Sequence, residues 1–205
     1  MTKSLLFLSV LISFSCQAQR SSDKIVGGAC EGCDAIFEYG EKELGPTDTL
    51  PLFLENEPKL KITGRVFDMD GKTPASDVII YIYHTNRNGI YQKKGDETGW
   101  AKRHGFIRGW VKTDATGNYT FYTFLPGAYP SRFEPVHIHL TVKEPGKTAY
   151  YLDEYVFEDD PLLTDQIKEN LDFRGGIGLT NPIFENKILT IHRNLILGLN
   201  IPDYE

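Results

Sequence analysis

From Leu60 onward, short alternating or wholly apolar runs follow one another, bounded by glycine, asparagine, aspartate and proline. A period of two puts one face of each segment into a core and leaves the other outside, which is the pattern of strands rather than helices. The runs predict strands over 60–67, 78–84, 109–112, 119–124, 136–142, 150–157 and 187–197, with turns at Asp70-Gly71 and 114–117. Only 165–171 suggests a helical turn or two. Short strands at this spacing predict an all-β fold, an antiparallel β-sandwich.

Residues 19–57 break the pattern: glycine, acidic residues and proline are frequent, and Ala35 to Tyr39 is an apolar cluster. This stretch reads as an N-terminal extension lying against a sandwich that spans 58–205. Within the sandwich, 86–108 is long for a hairpin, and long ordered loops on rigid scaffolds tend to carry function. That loop contains Tyr91, Trp100, His104 and Arg108. Ahead of the extension, Lys3, an apolar run over 5–14 and small or polar residues up to Ala18 have the form of an export signal over 1–18. The run is too short to span a bilayer as a helix. Cleavage after Ala18 would release a soluble periplasmic or secreted protein, whereas Ser15-Cys16 also resembles a lipoprotein site that would leave a lipid anchor on Cys16. In either compartment a disulfide persists, so Cys30-Glu31-Gly32-Cys33 reads as a local structural disulfide, with no thioredoxin-like strand and helix around it.

With 205 residues, 40% of them apolar, the chain can bury one ordinary core. Its net charge of −6 disfavours a sequence-independent grip on nucleic acid or on an anionic membrane surface. A small soluble partner is the simpler expectation.

Candidate chemistry collects in three places. His137-Ile138-His139 sets two imidazoles on one face of a strand, a chelating arrangement. Tyr129 stands eight residues earlier in Pro126-Gly127-Ala128-Tyr129-Pro130, and Tyr91 closes Asn88-Gly89-Ile90-Tyr91. Imidazole suits several transition metals, but two tyrosines brought to the same point would add hard phenolate oxygens, which single out ferric iron. A lone His-x-His is more often an exposed or hydrogen-bonded pair, and a lone tyrosine more often a core or turn residue.

Two resemblances can be stated on these residues. The segments around 62–74 and 113–119 resemble the prealbumin-like sandwich of carboxypeptidase regulatory domains, which bears on fold only. More specifically, Tyr83 to Tyr91, Gly105 to Arg108, Tyr122 to Pro130 and Pro135 to His139, in this order, resemble the intradiol ring-cleavage dioxygenases, the family of protocatechuate and catechol dioxygenases. The resemblance implies a non-haem Fe(3+) held by Tyr91, Tyr129, His137 and His139. It further implies a reaction of O2 with a catecholic substrate to give a muconate-type diacid. Tyr129 would accept a substrate proton, and Arg132 and Arg108 would face the substrate's negative charge. One departure stands out: where family members usually carry an arginine three residues before the first histidine, this chain has Glu134. A carboxylate there would oppose a catecholate, and a binding module that keeps the fold without turnover is the alternative expectation. His84, His104, His192, Trp100 and Trp110 read as structural or pocket-lining residues.

Overall fold

The computed structural model describes residues 23–130 and 133–205. The export signal, Cys16 and Arg132 therefore lie outside the described residues. The strands are, in chain order, β1 (Thr47–Thr49), β2 (Lys59–Phe67), β3 (Ile79–Tyr83), β4 (Arg108–Lys112), β5 (Asn118–Phe124), β6 (His137–Lys143), β7 (Tyr150–Phe157), β8 (Leu179–Thr180), β9 (Ile183–Glu185), β10 (Ile188–His192) and β11 (Leu195–Ile196). Two short helices, α1 (Ala101–His104) and α2 (Asp165–Glu169), interrupt them. One sheet has the order β1-β5-β2-β10-β9, with β11 also on β2, and the other has the order β4-β3-β6-β7-β8.

The central pairs β2–β5, β3–β4, β3–β6 and β6–β7 are antiparallel, as the alternating runs predict. The sandwich is nonetheless mixed. β1 on β5, β10 and β11 on β2, and β8 on β7 pair in parallel, each joined to its neighbour through a long excursion rather than a tight hairpin. The expected strand over 187–197 is divided at Arg193 and Asn194, where the Asn194 side-chain oxygen, instead of a backbone carbonyl, accepts from the Arg65 amide at 3.0 Å.

Alternation along the strands sorts the side chains cleanly. Ile80, Ile82, Val111, Ile138, Leu140 and Val142 point inward and meet Leu60, Ile62, Val66 and Phe121 of the facing sheet in one core. Tyr81, Tyr83, Trp110, His137 and His139 alternate with them, so they stand on the outer face of the β4-β3-β6-β7-β8 sheet. The extension covers part of that face. A 3-10 turn over Cys33–Phe37 buries Ala35 and Ile36 against Tyr81 and Trp110, and the Trp110 indole donates to the Ala35 carbonyl at 3.2 Å. A Cys30–Cys33 disulfide closes the loop ahead of it.

At the end of β3, His84 is fully enclosed. Its Nδ1–H donates to the Thr85 carbonyl at 2.7 Å, and its Nε2 accepts from the Thr123 hydroxyl at 2.6 Å. Burial away from water lowers its pKa to about 4, because the charged ring would lose its hydration. Between the ordinary value of 6.5 and about 4 the unfolded chain binds a proton that the folded one refuses, so folding stability falls as pH drops through that window. NMR titration should find the His84 ring neutral until about pH 4. A midpoint near the free value would contradict this packing.

Candidate active site

Two loops bring tyrosines to the histidine-bearing strand, and glycine makes their approach feasible. In the loop after β3, the Asn86 side-chain oxygen accepts from the amides of Asn88 and Ile90 at 2.9 and 3.1 Å and folds the chain back on itself. Gly89 sits there at φ 74°, and a Cβ on it would lie 1.8 Å from the Ala128 carbonyl oxygen. Reciprocally, a Cβ on Gly127 would lie 2.4 Å from the Arg87 carbonyl oxygen. The loops are further tied by Gly127 N–H to the Asn86 carbonyl at 3.0 Å and by the Thr85 hydroxyl to the Gly127 carbonyl at 2.7 Å. Backbone therefore rests on backbone, and Tyr91 and Tyr129 emerge side by side with their hydroxyls in contact.

The histidines meet them from β6. Tyr91 Oη lies 2.6 Å from His139 Nε2, and Tyr129 Oη lies 3.3 Å from His137 Nε2. Each ring is oriented from its opposite edge. His137 Nδ1–H donates to the Pro135 carbonyl at 2.8 Å, and His139 Nδ1–H donates to the Glu154 carboxylate at 2.6 Å. These bonds leave both Nε2 atoms as acceptors facing the tyrosine oxygens. A β-bulge supplies the carboxylate: Ile138 pairs with Tyr155 and Leu140 with Leu152, so His139 faces both Asp153 and Glu154. Burial would raise the Glu154 carboxyl, but the hydrogen bond from His139 and the charge that both imidazoles take up at low pH bring it down to about 2. Tyr83, across the strand pair from His139, carries rings stacked at 4.2 Å by His139 and 3.8 Å by His104, which fixes the plane of the His139 imidazole.

Tyr91, Tyr129, His137 and His139 are thus brought together, and three of the four line a cavity of about 660 Å³ with Trp100, His104 and Lys93. Arg108 is elsewhere: its guanidinium pairs with Glu38 at 2.6 Å, lies over Trp110 and does not line the cavity. A carboxylate from the extension thus holds the arginine that the sequence reading expected to face substrate. Glu134 is solvent-exposed and is not among the residues that line the cavity. His84 and Trp110 are packing residues, and His192 is an exposed histidine 3.2 Å from Glu185. Glu154 and Tyr83 escaped the sequence reading. Tyr83 was legible as the outward neighbour of His139 once the strands were aligned, whereas Glu154 depends on a bulge that no alternation reveals.

Comparison with known proteins agrees with this arrangement. The sequence model Dioxygenase_C, described as Dioxygenase, matches residues 47–174, more than half of the chain. The chain belongs to the intradiol ring-cleavage dioxygenase family. It is 33% identical over 137 residues to the protocatechuate 3,4-dioxygenase beta chain of Burkholderia cepacia, covering 61% of this chain and 58% of that protein. It is 30% identical over 127 residues to catechol 1,2-dioxygenase 1 of Acinetobacter lwoffii, covering 54% of this chain and 40% of that protein. The chain thus spans less than two thirds of the length of either relative. Among solved structures, the dioxygenase domain of a dioxygenase carbohydrate-binding protein fusion from Streptomyces sp. SirexAA-E superposes with a TM-score of 0.56 at 22% identity, covering 86% of this chain and 97% of that one. An intradiol ring-cleavage dioxygenase from Tetranychus urticae gives 0.54 at 19% identity, covering 85% and 92%. At these identities the structural likeness bears on the fold, and the dioxygenase family's sandwich is the one observed.

The loop contact makes a direct prediction. Gly89→Ala sets a methyl group against the Ala128 carbonyl at a left-handed backbone angle, so it should cost at least about 1–3 kcal/mol in urea denaturation. A neutral substitution would mean that the two loops are not in contact.

Proposed function

We propose that the protein is a non-haem Fe(III) dioxygenase that opens a catecholic ring between its two hydroxyl-bearing carbons, with both atoms of O2 entering a muconate-type diacid. The observation that carries this reading is the convergence of two phenol oxygens and two imidazole Nε2 atoms beside one cavity. The donor set suits the metal. Burial and the neighbouring Tyr129 hydroxyl push the Tyr91 phenol well above its ordinary range, so a phenolate there requires a strongly charged cation. Hard oxygens with imidazoles favour ferric iron over softer ions. His137, His139 and Glu154 also offer one ligand atom each within 4.8 Å, but Glu154 meets the Nδ1 edge of His139, away from the tyrosines. Its part is to orient and charge the imidazole rather than to displace a phenol.

Tyr91, Tyr129, His137 and His139 would hold the iron, and bound iron supplies Lewis-acid activation of a chelated catecholate. The remaining roles belong to the polypeptide. Tyr129 stands on a loop outside the strands, and its Oη is the atom to accept a proton from an incoming catechol hydroxyl. Tyr83 and His104 hold the His139 ring in plane, and Trp100 walls the cavity. Residues 58–205 would form the catalytic unit together with β1, which the sandwich takes from the 19–57 extension. Export through 1–18 is supported by the Cys30–Cys33 disulfide, since such bonds persist in oxidising compartments.

The purified protein should carry one ferric iron per chain and be coloured by phenolate-to-iron charge transfer. Tyr91→Phe and Tyr129→Phe should each shift that visible band, and His137→Ala or His139→Ala should lose most of the iron. An iron-loaded wild type with the spectrum of both tyrosine variants would overturn the ligand assignment. Glu154→Gln keeps a hydrogen-bond acceptor while removing its charge, and should weaken iron retention in a chelator competition by about 10- to 100-fold. Unchanged retention would show that the Glu154 charge does not tune His139.

A further inference from the structure

The cavity offers far more room than one catechol ring fills. Its 660 Å³ lies within the roughly 300–1,000 Å³ of sites that take drug-sized ligands. Its lining also changes in character from the inside outward. Tyr91, Tyr129 and His139 are partly buried, whereas Lys93, Lys102 and Arg103 are exposed. Arg103 is paired with Glu31, which the disulfide-closed loop of the extension delivers to the mouth from outside the family match at 47–174. Lys93 and Lys102 form no ion pair among the described residues. A chain of net charge −6 thus presents two lysines, Lys102 and Lys93, the latter with only Glu97 in its field, at the opening of a large aromatic-walled cavity, a local excess of positive charge that favours an anion.

We propose that this mouth holds the carboxylate tail of an extended catechol, so that the preferred substrate is a dihydroxyphenyl-alkanoate or -alkenoate rather than bare catechol. The inference rests on the dioxygenase reading for the inner end of the cavity. The step in exposure between the tyrosines and the lysines calls for a spacer between ring and carboxylate, which the Trp100 side chain can cover. Because the cations are solvent-exposed, their pull is modest and sensitive to salt.

The test uses the iron-loaded protein with catechol, dihydroxyphenylpropionate and dopamine, which share a ring and differ in the charge of the tail. Oxygen uptake gives kcat/KM, and anaerobic calorimetry gives Kd. Dihydroxyphenylpropionate should exceed dopamine by about tenfold in both measurements, and the gap should shrink as salt is added. Lys93→Glu/Lys102→Glu should reverse the order, and the milder Lys93→Gln/Lys102→Gln should abolish it even if charge reversal impairs folding. Equal values for acid and amine in the wild type, or a preference that survives both double variants, would overturn the proposal. Selective binding of the acid without oxygen uptake on any of the three would support the mouth and refute the dioxygenase reading, so the two failures are distinguishable.

Discussion

The approach of two loop backbones is the constraint on which the site depends. Gly89 rests on the Ala128 carbonyl and Gly127 on that of Arg87 at separations that no side chain would permit. That contact sets the spacing between Tyr91 and Tyr129, and hence whether both phenols can reach the imidazoles of β6. The rest of the fold supplies the fixed side of the geometry. An inward row of Ile138, Leu140 and Val142 locks β6 into the core, and the same alternation turns His137 and His139 outward. A core substitution that shifted β6 by one residue would carry both imidazoles to the wrong face.

Around this centre the side chains are held from behind. His137 leans on a backbone carbonyl, His139 on a carboxylate, and Tyr83 stacks between His139 and His104. The extension reaches the site only indirectly. Its Glu38 takes Arg108 and the Trp100 amide, its Glu31 takes Arg103, and Ile36 seals the outer face beside Tyr81. Both arginines are thereby committed to carboxylates of the extension, Arg108 away from the cavity and Arg103 at its mouth, which leaves Lys93 and Lys102 as the mouth's cations outside any ion pair of the described residues.

Much of the sandwich was legible in the sequence because its central strands are short apolar or alternating runs closed by turn residues, and residues 150–157 are bounded as the pattern predicts. The two tyrosines and two histidines were legible because they fall in order in the segments that resemble the family, and Gly89 and Gly127 in those segments have a steric reason. Three things were not. The parallel pairing of β1, β8, β10 and β11 comes from long-range returns of the chain, and β1, β8 and β11, at two or three residues, leave too little periodicity to read. The fate of Arg108 was hidden because its partner, Glu38, is 70 residues away. Glu154 was hidden by a bulge, which places it against His139 where regular pairing would not.

The central claim is chemical: this constellation opens a catecholic ring with both atoms of one O2 molecule. The most direct measurement is the mass of the product formed by the iron-loaded protein from catechol under oxygen-18 gas. The account predicts a ring-opened diacid carrying two heavy oxygen atoms. Recovery of intact catechol, or of a quinone without heavy oxygen, would contradict it.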